Sequence, residues 1–278
     1  MIILAHDGSI YGDWVARYAL QFAADEADRK LLLLNVLDGK INPDIVEARL
    51  DRFKENCQEV KVECLSHILP LGKTVYRSLR QAIPYDPESL LICGTRVKPN
   101  KRSFLGGSVA EQLLRSHQCP VLALRVVQPG LLGTPHDLLV PLAGHQRGFA
   151  RVWPVFRRLA AHLNTVHLFR ALVINPLLQT HLTPTRRQTL RNIGRTHLAQ
   201  ICAELNEFMP LQAFRMDQSI TITSDWPHEI LTLSSRLKVQ MLLLGVSERS
   251  LAHRLFHGAG IEKILRETPC DIGIYRGP

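Results

Sequence analysis

Two glycine positions in the first half of the chain have the spacing of an anion-binding loop. Gly94 ends an apolar run, and Gly107 follows thirteen residues later, next to Ser108 and the start of a helical pattern. Glycine allows a backbone to approach a ligand closely, and the free amides at a helix start attract negative charge. The spacing therefore predicts an anion-binding loop between Gly94 and Val109.

Polar residues at the end of the first apolar run could complete such a site. Asp7 follows the run that opens the chain, and Ser108 stands where the later helix begins. Both residue types also cap helices, so each has a structural alternative to ligand binding. Lys98, Lys101 and Arg102 lie in the loop itself, where they could neutralise phosphate or form an ordinary solvated surface.

Apolar runs and amphipathic segments alternate along the first 126 residues. Strands are expected at residues 2–6, 31–36, 60–69, 90–93 and 120–126, and helices at about 12–27, 44–57, 74–82 and 109–117. Strict alternation implies right-handed crossovers and a parallel sheet with helices on both faces. The first half therefore reads as an α/β unit of flavodoxin-like type.

The same pattern then starts again. Strands are expected at residues 138–142, 166–173, 211–216, 241–245 and 270–275, and helices at about 148–162, 184–208, 227–237 and from 258. Gly94, Gly107 and Cys119 recur as Gly245, Gly258 and Cys270, each at an offset of 151. Three landmarks in one register indicate a tandem duplication. We expect one unit at residues 1–127, a linker at 128–136 and a second unit at 137–278.

The first strands of the two copies align at a smaller offset, Asp7 with Ala143, so the second copy has about fifteen extra residues. We place them between residues 175 and 195. Arg187, Arg191 and Arg195 recur there at helical spacing beside Arg186. They could bind an anion or an acidic partner, or form a solvated basic face.

Composition excludes several classes of protein. With 46% hydrophobic and 21% charged residues among 278, the chain reads as globular, and no apolar run approaches the roughly 20 residues of a membrane span. The six cysteines form no Cys-x-x-Cys pair, and no export leader is evident, which favours a cytoplasmic protein with buried thiols.

The net charge of +9 does not by itself indicate a nucleic-acid partner. Aromatic residues make up 6% of the chain and none interleave with the basic cluster, so binding by base stacking is not expected. His253 and His257 are four residues apart, a spacing that could hold a metal, but no third ligand accompanies them. No metal site is predicted.

Taken together, these features resemble the universal stress protein family in its tandem two-domain form, over essentially the whole chain. The resemblance rests on residues 2–9, Asn35-Val36, Gly72 and the run from Gly94 through Gly107-Ser108 to Val121. It implies two five-stranded parallel α/β sheets, with an adenine nucleotide such as ATP as ligand in some members.

The resemblance also implies a role for particular residues of the first unit. The residues expected to flank the adenosine are Ala5, Asp7 and Val36. Gly94 would contact the ribose and phosphates, while Gly107, Ser108 and the amide of Val109 would hold the terminal phosphates. Val97 departs from the pattern, because it stands where the family has its second glycine. If that position needs a left-handed backbone, the loop must run differently here.

In the second unit the corresponding site is eroded. Ala143, Glu248 and Ala259 replace the aspartate, the second glycine and the hydroxyl residue of the pattern. Nucleotide is therefore expected at the first unit only. The resemblance further implies that the last strands, Val121–Val126 and Ile272–Tyr275, pair in antiparallel fashion within the chain, forming an intramolecular pseudo-dimer. Further homodimerisation is left open.

No motif for a catalytic nucleophile, a Walker lysine or a zinc-binding His-Glu-x-x-His helix occurs in the chain. The expected function is a non-enzymatic regulator of the stress response that binds an adenine nucleotide and an unidentified protein partner. Two alternatives remain: a scaffold of the same fold that binds no nucleotide, and a weak ATPase.

Overall fold

The computed structural model describes residues 1–96, 107–116, 118–131, 133–142, 152–179, 181–209, 214–245 and 259–277. In the first half the strands are β1 (Ile2–His6), β2 (Lys30–Leu37), β3 (Glu63–Pro70), β4 (Leu90–Gly94) and β5 (Val121–Arg125). The helices between them are α1 (Ile10–Asp25), α2 (Pro43–Glu59), α3 (Val75–Ala82) and α4 (Val109–Leu114).

A short 3-10 turn, Pro129–Leu131, leads into the second half. Its strands are β6 (Asp137–Pro141), β7 (Thr165–Val173), β8 (Arg215–Thr223), β9 (Met241–Gly245) and β10 (Asp271–Arg276). Its helices are α5 (Trp153–Ala160), α6 (Pro176–Gln179), α7 (Pro184–Phe208), α8 (Trp226–Leu237) and α9 (Ala259–Glu267).

All ten strands form one sheet in the order β3-β2-β1-β4-β5-β10-β9-β6-β7-β8. Each half contributes five mutually parallel strands, and both halves have the same internal order. The predicted α/β class with two flavodoxin-like units is confirmed. The boundary at residues 128–136 stays a prediction, because the two halves share one continuous sheet.

Successive residues of a strand point to opposite faces of the sheet, and both sets are apolar in the inner strands. Helices therefore cover both faces. Ile2 and Leu4 of β1 pack in a core with α1, α2, α5 and α7. Ile3 between them packs in a second core with α3, α4 and α8. Both cores contain residues of both halves.

The halves join where β5 and β10 pair in antiparallel fashion, with Ala123 opposite Ile274. This is the pairing expected from the sequence. Two arginines fix the joint. Arg125 donates to the carbonyl of Thr268 at 3.1 Å, just beyond α9, and Arg276 donates to the carbonyl of Leu114 at 2.6 Å, in the last turn of α4. Each half therefore supplies a cation to a helix C-terminus of the other, where the helix dipole favours positive charge.

A second set of contacts binds the halves together through α1. The hydroxyl of Tyr18 donates to Asp271 at 2.6 Å, and Asp271 also accepts the backbone amides of Val127 and Gln128. Farther along α1, Asp25 contacts His162 at 2.6 Å. These contacts join the first helix of one half to the last strand and α5 region of the other.

The structure corrects two predicted strands. Of the strand expected at residues 211–216, residues 211–213 lie outside the described part of the chain, and the observed strand runs from Arg215 to Thr223; the strand expected at 60–69 begins at Glu63. Both are edge strands, in which polar residues are interspersed with apolar ones, so the apolar signal is weak. In β8 the side chains of Met216 and Ile220 pack against the core while the residues between them do not.

The arginine contacts at the joint lead to a test of stability. Arg276 is 5% exposed, and replacing it with alanine leaves buried carbonyls at the end of α4 without their donor. We expect Arg276→Ala to lower the free energy of unfolding by about 2 kcal/mol, measured by urea denaturation. Arg236→Ala, which removes an exposed arginine from the last turn of α8, is the control and should change stability by less than about 0.5 kcal/mol. Equal losses of stability in the two variants would show that the contact between the halves does not depend on Arg276.

Candidate functional site

The strand order of the first half creates a crevice between β1 and β4. The chain leaves β1 toward β2 on one side, and returns to β4 on the other side of β1. Parallel α/β sheets bind ligands at such a switch point, beyond the carboxyl ends of the strands. Ala5 lies opposite Cys93 in the pairing of β1 with β4, so Asp7 and Gly94 follow at the same edge.

Asp7 and Arg96 form an ion pair across this switch point. One carboxylate oxygen of Asp7 accepts from the Arg96 guanidinium at 2.6 Å. The other accepts from the backbone amide of Ser9 at 3.1 Å and from its hydroxyl at 2.5 Å. Ser9 is also the N-cap of α1. Asp7 thus stabilises the turn before α1, which is the structural alternative to ligand binding, and in addition pairs with Arg96, two residues after the end of β4.

Tyr11 positions the segment that carries Arg96. Its hydroxyl donates to the carbonyl of Thr95 at 2.7 Å and accepts the amide of Val126 at 2.8 Å. The Arg96 guanidinium lies over the Tyr11 ring, 4.6 Å from its centroid, in a cation–π contact. Burial raises the pKa of Tyr11 to about 12, so the hydroxyl stays protonated at neutral pH.

Two of the predicted adenosine-binding residues lie on one face of the sheet, whereas Arg96, which was not predicted, lies on the other. Ala5 and Val36 pack on the face covered by α3 and α4. Arg96 instead lines a cavity of about 610 Å³ on the α1 side, with Trp14 and Ile45 among its walls. The cavity is therefore on the opposite face from Ala5 and Val36, and Asp7 contacts one of its walls through Arg96.

Gly94 is exposed at the end of β4, as a ligand-contacting glycine would be. A Cβ atom placed there would lie 3.2 Å from both the Tyr11 ring and the Val15 side chain. Close packing against α1 is therefore sufficient reason for glycine at this position.

The predicted phosphate-binding residues at the start of α4 have partners within the protein. The Ser108 hydroxyl accepts the amide of Glu111 at 3.1 Å, and the Glu111 carboxylate accepts the amide of Gly107 at 2.7 Å. These contacts resemble a capping box, except that the acid accepts the amide of the residue before the N-cap rather than that of the N-cap itself. The Glu111 carboxylate thus already accepts from the Gly107 amide, a donor that a phosphate would need. Val109 follows as the first residue of α4.

A buried polar group adjoins the switch point on the α1 side. The His6 ring accepts the Gly8 amide at Nδ1, at 2.9 Å, so its Nε2 carries the proton that it shares with Asp13 at 3.1 Å. Asp13 also pairs with Arg49 of α2. Burial alone raises the pKa of the Asp13 carboxyl, but the interactions with His6 and Arg49 outweigh burial and lower it overall.

Several predicted residues lie outside the described part of the chain. They are Val97, Lys98, Lys101, Arg102, Ala143, Glu248, His253, His257 and Gly258. Of the second site, Gly245 is described as the last residue of β9, and Ala259 as the first of α9. No cluster of metal-binding side chains occurs among the residues that the structure describes.

Sequence reasoning missed three residues that shape the site. Arg96 gave no signal, because its partner Asp7 is 89 positions away in the chain. Glu111 was visible in the Ser-x-x-Glu spacing of a capping box. Asp13 lies seven residues after His6, at the first turn of an amphipathic helix, but such a pair has no specific sequence pattern.

Comparison with known proteins shows which fold this is. A universal stress protein from Archaeoglobus fulgidus DSM 4304 superposes with a TM-score of 0.59 and 15% identity, covering 99% of this chain and 96% of that one. A putative universal stress protein from Pseudomonas aeruginosa UCBPP-PA14 gives 0.58 and 18%, covering 98% and 92%. The cytoplasmic domain of a prokaryotic cation chloride cotransporter gives 0.58 and 10%, covering 99% and 95%.

The chain is therefore an α/β protein of the flavodoxin-like class, with five strands in each half. More particularly, it has the fold of the universal stress proteins, as the resemblance in sequence predicted. No protein-family model matches the chain, and no curated protein is matched by its sequence. Among the helices that the structure describes, none has the length and apolar character needed to cross a membrane.

The Asp13 interactions predict a pH dependence. Because the folded pKa of Asp13 is lowered, its carboxylate stabilises the fold above the ordinary aspartate pKa of about 4, and this stability is lost as the pH falls below that value. Asp13→Asn should therefore be less stable than the unmodified protein at neutral pH, with the difference shrinking in acid. Urea midpoints measured from neutral pH to about pH 3 test this.

Asp51→Asn removes an exposed carboxylate from α2 and is the matched control. It should keep the pH dependence of the unmodified protein. Parallel curves for Asp13→Asn and the unmodified protein would contradict the assignment.

Proposed function

We propose that this chain is a universal stress protein whose first half binds an adenine nucleotide and which acts by binding rather than by catalysis. The likeness in fold to two universal stress proteins over nearly the whole chain supports the family. Fold alone does not select the function, since a transporter domain is equally similar. The observation that carries the proposal is the Asp7–Arg96 ion pair at the switch point.

This ion pair is suited to exchange partners with a nucleotide. Asp7 and Arg96 side chains are 58% and 44% exposed, so the pair contributes little to stability and is easily broken. A phosphate group can bind the Arg96 guanidinium through two hydrogen bonds, in place of the single one that Asp7 makes. The released carboxylate can then accept hydrogen bonds from the amino or hydroxyl groups of the adenosine.

The same exchange gives a mechanism of regulation. Arg96 directly precedes residues 97–106, the predicted loop between Gly94 and Gly107. When a nucleotide draws Arg96 away from Asp7, the surface that Arg96 presents changes, and a protein partner that binds this surface distinguishes the bound from the free form.

A second candidate function is a scaffold of the same fold that binds no nucleotide. It is favoured by Glu111, whose carboxylate already accepts the Gly107 amide at 2.7 Å. A negative group at this position repels the terminal phosphates that the helix start would otherwise attract.

Nucleotide titration separates the two functions. We expect ATP, ADP or AMP to release heat in calorimetry and to raise the melting temperature of the protein. Asp7→Ala should weaken binding by about tenfold or more, since it removes a hydrogen-bonded carboxylate. Asp51→Ala, an exposed aspartate on α2, should bind as the unmodified protein does. If none of the three nucleotides gives heat or a thermal shift, the scaffold is the correct function.

A second experiment locates the phosphates. Glu111→Gln removes the negative charge at the start of α4 while preserving the shape of the side chain. If the terminal phosphates lie there, this variant should bind ATP several-fold more tightly and AMP about as before. An equal change for ATP and AMP would place the phosphates elsewhere in the crevice.

A further inference from the structure

The longest described helix of the second half is only partly packed against the sheet. Helix α7 has 25 residues, about 37 Å at 1.5 Å per residue. Its buried residues are Gly194, Leu198, Ile201 and Leu205, all in its later turns. The ten residues from Pro184 to Ile193 contribute none to the core. These first turns are held by the N-cap of Thr183 and by helical hydrogen bonds, not by burial.

The helix meets β8 at Gly194, and beyond this contact a groove opens. A Cβ atom on Gly194 would lie 3.0 Å from the Ile220 side chain, so the two elements touch there. The groove, of about 230 Å³, lies toward the start of the helix. Its lining residues are Leu182, Arg187, Arg191, Ile220, Thr221 and Ile222.

One wall of this groove is the outer edge of the sheet. β8 is the last strand in the order, and no described residue pairs with its far side. The backbone carbonyl of Thr223 accepts the amide of Ile174, and the backbone amide of Arg215 donates to the carbonyl of Asn164. The backbone groups of the odd-numbered residues of β8 therefore pair with β7. The backbone N–H and C=O groups of Ile220 and Ile222 therefore point outward, since alternate residues of a strand pair to opposite sides.

The other wall is strongly cationic. Between Asp137 and Glu204 the sequence has nine arginines and not one aspartate or glutamate. Three of the nine, including Arg187 and Arg191, belong to the ten unburied residues at the start of α7, and Arg195 follows just beyond them. Of the acids on β8 and just after it, Asp217 pairs with Arg215 at 2.8 Å, and Asp225 caps α8.

We propose that this groove is a docking site for an extended acidic segment of a partner protein. The segment adds to β8 as a further strand, with its backbone paired to Ile220 and Ile222. Its carboxylates face Arg187 and Arg191, which bind them through charge-assisted hydrogen bonds. The proposal is independent of nucleotide binding in the first half.

The observations favour a peptide over a nucleic acid. A free strand edge is complementary to a peptide backbone, whereas bases stack on aromatic rings. Residues 181–196 and 215–223, which contain both walls of the groove, include no Phe, Tyr or Trp. A volume of about 230 Å³ accommodates amino-acid side chains rather than a helix of nucleic acid.

Fluorescence anisotropy of a labelled peptide in which glutamate and threonine alternate tests the site on the full-length chain. The double variant Arg187→Gln, Arg191→Gln should weaken binding at least about tenfold. The matched control, Arg77→Gln with Arg80→Gln, removes two exposed arginines one turn apart on α3 and should leave binding unchanged. Equal losses in both double variants would overturn the proposal.

Two further probes test the mode of binding without altering the protein. Two peptides, one methylated on the backbone nitrogen of every glutamate and the other on that of every threonine, should differ in affinity. One of the two should lose binding, because the amides that pair with β8 are blocked. If neither methylation has an effect, strand addition is wrong. Single-stranded DNA and vesicles of anionic lipid should compete poorly with the peptide, and stronger binding of either would overturn the assignment to a protein partner.

Discussion

The antiparallel pairing of β5 with β10 is the contact on which the rest of this structure depends. It converts two five-stranded sheets into one, and it gives both of the last strands a partner instead of an open edge. Arg125 and Arg276, which are separated by 151 residues like the other landmarks of the repeat, each cap a helix of the opposite half. The duplication is therefore visible in the interface as well as in the strand order.

Much of the fold could be predicted from the sequence because parallel strands covered on both faces are continuous apolar runs. The bounds of α7, Pro184–Phe208, were predicted to the residue, since a threonine cap and a proline at its start leave a clear signal. β8 was misplaced because an edge strand needs apolar residues on only part of its surface. The arrangement of the site was harder to predict. The contact of Asp7 with Arg96 joins strands that are distant in sequence, and no local pattern encodes it.

The candidate site illustrates how a binding crevice is maintained without its ligand. Asp7 has Arg96, the Gly107 amide has Glu111, and the Tyr11 hydroxyl has the carbonyl of Thr95, so these three groups of the crevice each have a partner within the protein. A ligand must compete with these contacts, and the affinity is the difference between the two sets of interactions. The exposed contact, Asp7–Arg96, is the easier to replace. The buried carboxylate of Glu111 is the harder to replace, because it also accepts from Arg115.

The hydrogen bond between Tyr18 and Asp271 has no counterpart on the opposite side of the pseudo-twofold axis. The repeat offset aligns Asp271 with Pro120, which has no side-chain acceptor. In a dimer of identical subunits every mutation appears twice at the interface, so a change that helps one side must be tolerated on the other. Fusion of the two copies removes this requirement. One copy can then acquire a tyrosine, the other an aspartate, and each can lose or gain a pocket while the subunit contact persists.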